Sequence, residues 1–176
     1  MIKVGLSMRS YKDTFTNELR DTIDVRWYEF FSICDLKPIL IPNNYEICEN
    51  EITGLQGVIL SGGEDINQIS KQNSVRDKVE QHLIQRGIEC KIPIIGVCRG
   101  MQIIQNFFGI NLFKISGHIK VRHELKYEGE TINVNSFHNY GTKENNKHFN
   151  IDAKASDGVI KAISHIKYPI KGIMWH

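Results

Sequence analysis

The sequence predicts an α/β fold built on a mostly parallel central sheet. Three observations carry this. The strand candidates are short and almost wholly apolar. They alternate with longer amphipathic stretches. One of them, "IPIIGV", runs straight into a helical pattern through Gly96-Val97-Cys98-Arg99-Gly100. A strand without polar alternation is one buried on both faces, and that environment belongs to a parallel sheet covered on each side.

The elements follow in chain order. "IKVGLSM" reads as a strand. "TNELRDTIDVRWYEFFSICD" (16–35) places Leu19, Ile23, Trp27, Phe30 and Phe31 at helical spacing and is expected to be one helix. "KPILIP" is a second strand, closed by Pro42, and "LQGVILSGG" a third, ending in a glycine pair. "SVRDKVEQHLIQRGIE" is a long helix with Val75, Val79, Leu83 and Ile84 on its apolar face. "IPIIGV" is the fourth strand. "GMQIIQNFFG" is a helix that Gly109 can cap. "TINVNSF", "IDAKASDGVIKAISHI" and "IKGIMWH" read as shorter strands of a β-rich second half, and the polar "GTKENNKHFN" (141–150) as a loop.

A chain of 176 residues fits one domain, 1–176, large enough for a substantial core. A net charge of +2, with lysines and arginines scattered, argues against nucleic acid or an anionic membrane as partner. No run reaches the roughly 18 apolar residues of a spanning helix, and the N-terminus has no signal-peptide pattern, so the expected location is cytoplasmic. Cys34, Cys48, Cys90 and Cys98 show no paired spacing, which speaks against a metal site or a disulfide framework. Cys34, in an apolar pattern, reads as a buried small hydrophobe; Cys48 and Cys90 lie among charged residues.

Cys98 has a different setting. A strand, then Gly-x-Cys-x-Gly, then a helix is the nucleophile-elbow arrangement with cysteine in place of serine. Small residues two before and two after the central position relieve a crowded, strained turn. The thiol is then expected above the sheet at a helix N-terminus, where the dipole and free amides favour thiolate. The amide of Arg99 is a candidate oxyanion donor. Taken alone, the motif fits a buried cysteine in a tight turn equally well. Two further features favour chemistry. Ser61-Gly62-Gly63 can bring a second backbone amide close to a ligand, and His176 ends an apolar strand on the side where the crevice of a parallel sheet lies.

Five blocks in this order carry a family resemblance: "SGGEDI", "RDKVEQHLI", "PIIGVCRGMQIIQNFFG", "VNSFHN" and "GIMWH". The chain resembles the class I glutamine amidotransferases, in particular the peptidase C26 or γ-glutamyl hydrolase group. The resemblance implies a flavodoxin-like three-layer α/β/α sandwich. It also implies a Cys-His-Glu triad with Cys98 as nucleophile and His176 as base. Gly63 and Arg99 would supply oxyanion amides. Gly62, Gln102, Ser136, Phe137 and His138 would line the γ-glutamyl pocket, and no metal or organic cofactor would be needed. Within the group, "DVRWYEFF", "CRGMQ", "HIKVRHEL" and "VNSFHN" are most similar to members that cleave γ-glutamyl-CDP-amidate in phosphoramidate decoration of surface polysaccharide. The expected partner is therefore a small γ-glutamyl amide, plausibly nucleotide-linked, with Lys120 and Arg122 facing its phosphate. As an exposed basic strand edge, that same block would have no ligand.

Two departures accompany the resemblance. The family's triad glutamate follows the histidine by two residues, so the domain is expected to lack its natural C-terminal end. "QISKQN" is shorter than the loop many relatives carry there, which predicts a more open pocket on that side. Two alternatives remain: a glutaminase subunit feeding ammonia to a partner synthetase, and a non-catalytic γ-glutamyl-binding homologue.

Overall fold

The computed structural model describes residues 1–71 and 74–176. In chain order the elements are β1 Ile2–Ser7, β2 Arg9–Lys12, β3 Leu19–Thr22, α1 Arg26–Ile33, β4 Leu36–Ile41, α2 Tyr45–Ile52, β5 Gly57–Leu60, α3 Asn67–Ser70 and α4 Val75–Cys90. There follow β6 Ile94–Val97, α5 Arg99–Phe107, β7 Phe113–Lys114, β8 Ile119–Tyr127, β9 Glu130–Phe137, β10 Tyr140–Gly141, β11 Phe149–Lys154, β12 Ile160–His165 and β13 Ile170–Ile173. Among the described residues no helix is long and apolar enough to cross a membrane.

Seven strands form the central sheet in the order β11-β12-β13-β6-β5-β1-β4. The five from β13 to β4 run parallel, and β12 and β11 add antiparallel strands at one edge. Neighbouring residues of β5 point to opposite faces, as a pleated strand requires. Val58 and Leu60 enter the larger core, beneath α2, α4 and α5, whereas Ile59 enters a second core with Phe31 of α1. The second face is completed by the β8–β9 hairpin, whose Leu125 and Val134 pack on Ala153 and Ala162. The sheet is thus sandwiched as expected, with one outer layer made of a helix and a hairpin.

The helix expected over 16–35 is corrected. Leu19–Thr22 pairs antiparallel with Arg9–Lys12, and the helix begins only at Arg26. The carboxylate of Asp21 accepts from the backbone N–H and side-chain amide of Asn43, which ties this hairpin to the end of β4. That tertiary bond outweighs a weak helical periodicity. Leu19 is consequently exposed, as are Val75 and Cys34, whereas Cys48 is fully buried in the larger core. The shortened loop contains α3, and its last two residues, Gln72 and Asn73, lie outside the described residues.

The turn between β6 and α5 fixes the centre of the sheet. Cys98 adopts φ 53° and ψ −104°, a conformation that L-residues rarely hold. A Cβ on Gly96 would lie 2.4 Å from the Gly100 backbone, and one on Gly100 would lie 2.0 Å from the Leu60 carbonyl oxygen. The glycines are therefore required by close backbone packing of the elbow on β5. Gly109 differs: its φ is +80°, but nothing stands within 4 Å of an added Cβ.

The expected contrast is measurable by urea denaturation. Gly100→Ala should cost at least about 3 kcal/mol, the upper range for overpacking. Gly109→Ala should cost only the left-handed penalty of about 1 kcal/mol. Equal losses would remove the steric account of the elbow.

Candidate active site

Cys98 is 7% exposed, at the carboxyl end of β6, and its N–H donates to the Ile173 carbonyl of β13 (2.7 Å). The same chain end brings His176 beside it. The position of a Gly62 Cβ would lie 2.9 Å from His176 Cε1 and 3.7 Å from Cys98 Cβ, so nucleophile candidate, base candidate and glycine loop converge. The N–H of His176 donates to Asn135 Oδ1 (2.8 Å), which anchors it to β9. Burial draws the His176 imidazole below its ordinary pKa, with Arg26 adding to the shift and Asp24 opposing it.

The glycine loop is held from below. Arg76 Nη2 donates to the carbonyls of Ser61 (2.8 Å) and Gly62 (3.2 Å), and its Nε to Glu80 (2.9 Å). Arg99 extends inward to Glu80 and Asp77. Ser7 Oγ donates to Glu80 (2.7 Å) and accepts from the Ser61 N–H (2.9 Å). These contacts join the ends of β1 and β5, α4 and the start of α5. Burial opposes ionisation of Glu80, but Arg76 and Arg99 hold its carboxyl below the usual range. Burial lifts Asp77 instead, although it too meets Arg99.

The expectation of a thiolate favoured by the helix terminus alone needs correction. Burial pushes the Cys98 thiol up. The Arg99 amide, which hydrogen-bonds to it, and the charges of Lys161 and Arg99 work against that rise.

The other expected pocket residues separate into two groups. Phe137 is half exposed and lines the cleft. Ser136, His138 and Gln102 are buried and do not line it. Ser136 Oγ donates to the His118 carbonyl (2.9 Å), and Gln102 Nε2 to the Tyr140 carbonyl (3.0 Å). His138 Nδ1 lies 2.8 Å from that same carbonyl, so Nδ1 carries the hydrogen and Nε2 is an acceptor. Lys161 Nζ donates to that Nε2 at 2.7 Å and also to Ser136 Oγ (2.9 Å). Burial, reinforced by Lys161, pushes His138 down to about 3, far from the range in which a general base works best near neutral pH.

A cavity of about 660 Å³ opens beside Gly62, Gly63 and His176. Trp27, Phe30, Phe137 and Trp175 supply aromatic wall, and Arg9 and Arg26 supply cations. Arg26 is committed to Asp24, whereas the Arg9 guanidinium has no ion pair among the described residues. Lys120 and Arg122 do not line this cavity; Arg122 is bound to Asn133 on the hairpin. The expected phosphate-facing role of that block is therefore not supported by the fold.

Sequence reasoning missed Lys161 and Arg9. A lysine inside the apolar run "VIKAI" was the available signal for the first. Arg9 opens the misread hairpin and had none.

A parallel sheet that delivers a cysteine on a strained strand-to-helix turn, facing a glycine loop and a strand-end histidine, defines an amidotransferase-like α/β protein. The chain belongs to the class I glutamine amidotransferase family, whose model matches residues 28–176. It is 32% identical to the γ-glutamyl-CDP-amidate hydrolase of Campylobacter jejuni, over 98% of this chain and 88% of that protein. Anthranilate synthase component 2 of Thermococcus kodakarensis is 28% identical, over 89% and 82%. The crystal structure of a glutamine amidotransferase from Thermotoga maritima superposes with a TM-score of 0.75 at 11% identity, covering 99% of this chain and 75% of that one, and shares the fold. The likeness supports a hydrolase of the glutamine amidotransferase type.

Two measurements test this electrostatic frame. Glu80→Gln leaves two buried guanidinium groups short of a counter-charge and should cost about 3–5 kcal/mol in urea denaturation. The His138 depression has a definite sign. The unfolded chain takes up a proton near pH 6.5 that the folded chain refuses until about pH 3, so stability should fall as pH drops through that window. Denaturation midpoints for His138→Gln should show a shallower slope between pH 6.5 and 4; an unchanged slope would assign the acid sensitivity elsewhere.

Proposed function

We propose that this protein hydrolyses a γ-glutamyl amide whose leaving nitrogen carries a phosphate-bearing, nucleotide-like group. Cys98 Sγ attacks the γ-carbonyl while His176 receives the thiol proton. The amide of Arg99 and one from Gly62-Gly63 receive the developing oxyanion. His176 returns the proton to the leaving nitrogen as the C–N bond breaks. Water then opens the γ-glutamyl thioester and releases glutamate. No step in this sequence calls for a metal or a redox cofactor.

The observation that carries the leaving-group assignment is the aromatic cavity beside His176, with Arg9, which has no ion pair among the described residues, on its wall. Its volume lies in the range of small-molecule sites. Indole faces suit a planar base, and a guanidinium without a carboxylate suits a phosphate. The hydrolase relative from Campylobacter, named for a γ-glutamyl-CDP-amidate, supports the same substrate class. A place in phosphoramidate decoration of surface polysaccharide belongs to this reading.

Glutamate release from γ-glutamyl-CDP-amidate, γ-glutamyl anilide and glutamine tests it. The nucleotide-linked amide should be the preferred substrate, and Cys98→Ala should abolish release from all three. Arg9→Ala should raise KM for the nucleotide-linked substrate by about tenfold or more, the worth of one charge-assisted hydrogen bond, and leave the anilide unchanged. A preference for glutamine that grows when a synthetase is added would favour the glutaminase-subunit reading instead.

A further inference from the structure

Lys161 is completely buried. Among the described residues no carboxylate stands within ion-pair distance of it, and both of its hydrogen-bond acceptors, Ser136 Oγ and His138 Nε2, are neutral. Its third N–H has no partner among them. A buried ammonium without a counter-ion is costly, and a fold keeps one when an anion forms nearby.

Besides Asp157, the strand order brings one group that can form an anion near it. The Met174 N–H donates to the Lys161 carbonyl, and the Cys98 N–H donates to the Ile173 carbonyl, so the two residues flank the same end of β13 from opposite sides. The groups facing each are few. Cys98 meets Arg99 on its own helix, His176 from the chain end and Lys161 from β12. Arg99 is already neutralised by Asp77 and Glu80. Lys161 meets His138, with the tilted rings of His118 and His123 beyond it, and feels Asp157, which is itself bound to His118.

We propose that Lys161 is a positioning residue for the Cys98 thiolate: its ammonium, fixed by Ser136 and His138, supplies the buried positive charge that offsets desolvation of the sulfur. The thiol proton goes to His176 or to solvent, and none moves to or from Lys161. The electrostatics agree in both directions. Lys161 eases ionisation of Cys98, and Asp157 and, after it, Cys98 favour the protonated lysine, which burial draws down to about 8.

The proposal rests on Cys98 as the nucleophile, and its test reads the sulfur directly. The rate of iodoacetamide alkylation at Cys98 is followed against pH by peptide mass spectrometry, because the exposed Cys34 and Cys90 also react. Lys161→Met removes charge and donors; Lys161→Gln keeps donors and removes charge. Both should raise the inflection by at least about one pH unit and slow alkylation at pH 7.5 about tenfold. A Gln variant with the wild-type profile would reduce Lys161 to a hydrogen-bond donor and overturn the proposal. Should neither variant fold, the wild-type profile decides. An inflection more than about one unit above the ordinary thiol value near 8.5 overturns it, and one at or below that value supports it. Failure of the nucleophile reading is separate: Cys98→Ala would then still release glutamate.

Discussion

The Arg76–Glu80–Arg99–Asp77 cluster is the constraint on which the site depends. All four side chains are buried, and each has its counter-charge within the group. Glu64 takes one further N–H of Arg76 at the exposed margin. Burying two arginines costs several kcal/mol per ion, and their mutual attraction with Glu80 and Asp77 repays this only when geometry and hydrogen bonds are complete. The arrangement consequently tolerates few alternatives. Because the members come from α4 and α5 and bind the backbone of Ser61 and Gly62, satisfying the charges also sets the distance between glycine loop and elbow. What the cluster contributes is position more than net stability.

The elbow completes that constraint. The backbone of Gly100 packs against the Leu60 carbonyl, so β5 and the start of α5 cannot separate without opening a gap at the sheet's centre. Ser61 follows Leu60 directly and is bound to Ser7 and Arg76. Sterics above and charge below therefore act on adjacent residues of one short segment. The strained φ of Cys98 persists because its neighbours on both sides are already fixed.

Much of this was legible in the sequence, for identifiable reasons. The apolar strands "KPILIP", "GVIL" and "IPIIGV" carry their burial in their composition, and Gly96 and Gly100 announce a close approach that side chains would forbid. "RDKVE" displayed Arg76 and Asp77 about one helical turn before Glu80, although nothing local says that all three face inward. The segment 16–35 misled because Leu19, Ile23 and Trp27 match helical spacing, while the deciding bond, Asp21 to Asn43, spans 22 residues. Cys34 follows the same logic: its apolar neighbours suggested a core, but it caps a helix on the surface. The cation selection at the cleft was also misplaced. Charge along the chain favoured Lys120 and Arg122, whereas the fold closes Arg122 onto Asn133 and leaves Arg9 without an ion pair among the described residues.

The site's cations thus fall into two environments, and the difference has a physical consequence. Arg9 and Arg26 stand in water at the cleft mouth, where a Debye length of about 8 Å at physiological salt weakens their pull on an anion. Lys161 sits under the sheet end with no water-accessible surface, and salt cannot screen its field at the sulfur. In the proposed reaction, attraction for a charged leaving group and ionisation of Cys98 would therefore be governed by separate charges with separate sensitivities. A change at the cleft can retune which amide is accepted without disturbing the thiol. On the same proposal, a change at Lys161, Ser136 or His138 would alter the thiol for every substrate alike. Such a partition lets one fold keep its chemistry while its leaving-group preference shifts, and here it follows from which strand end each cation occupies.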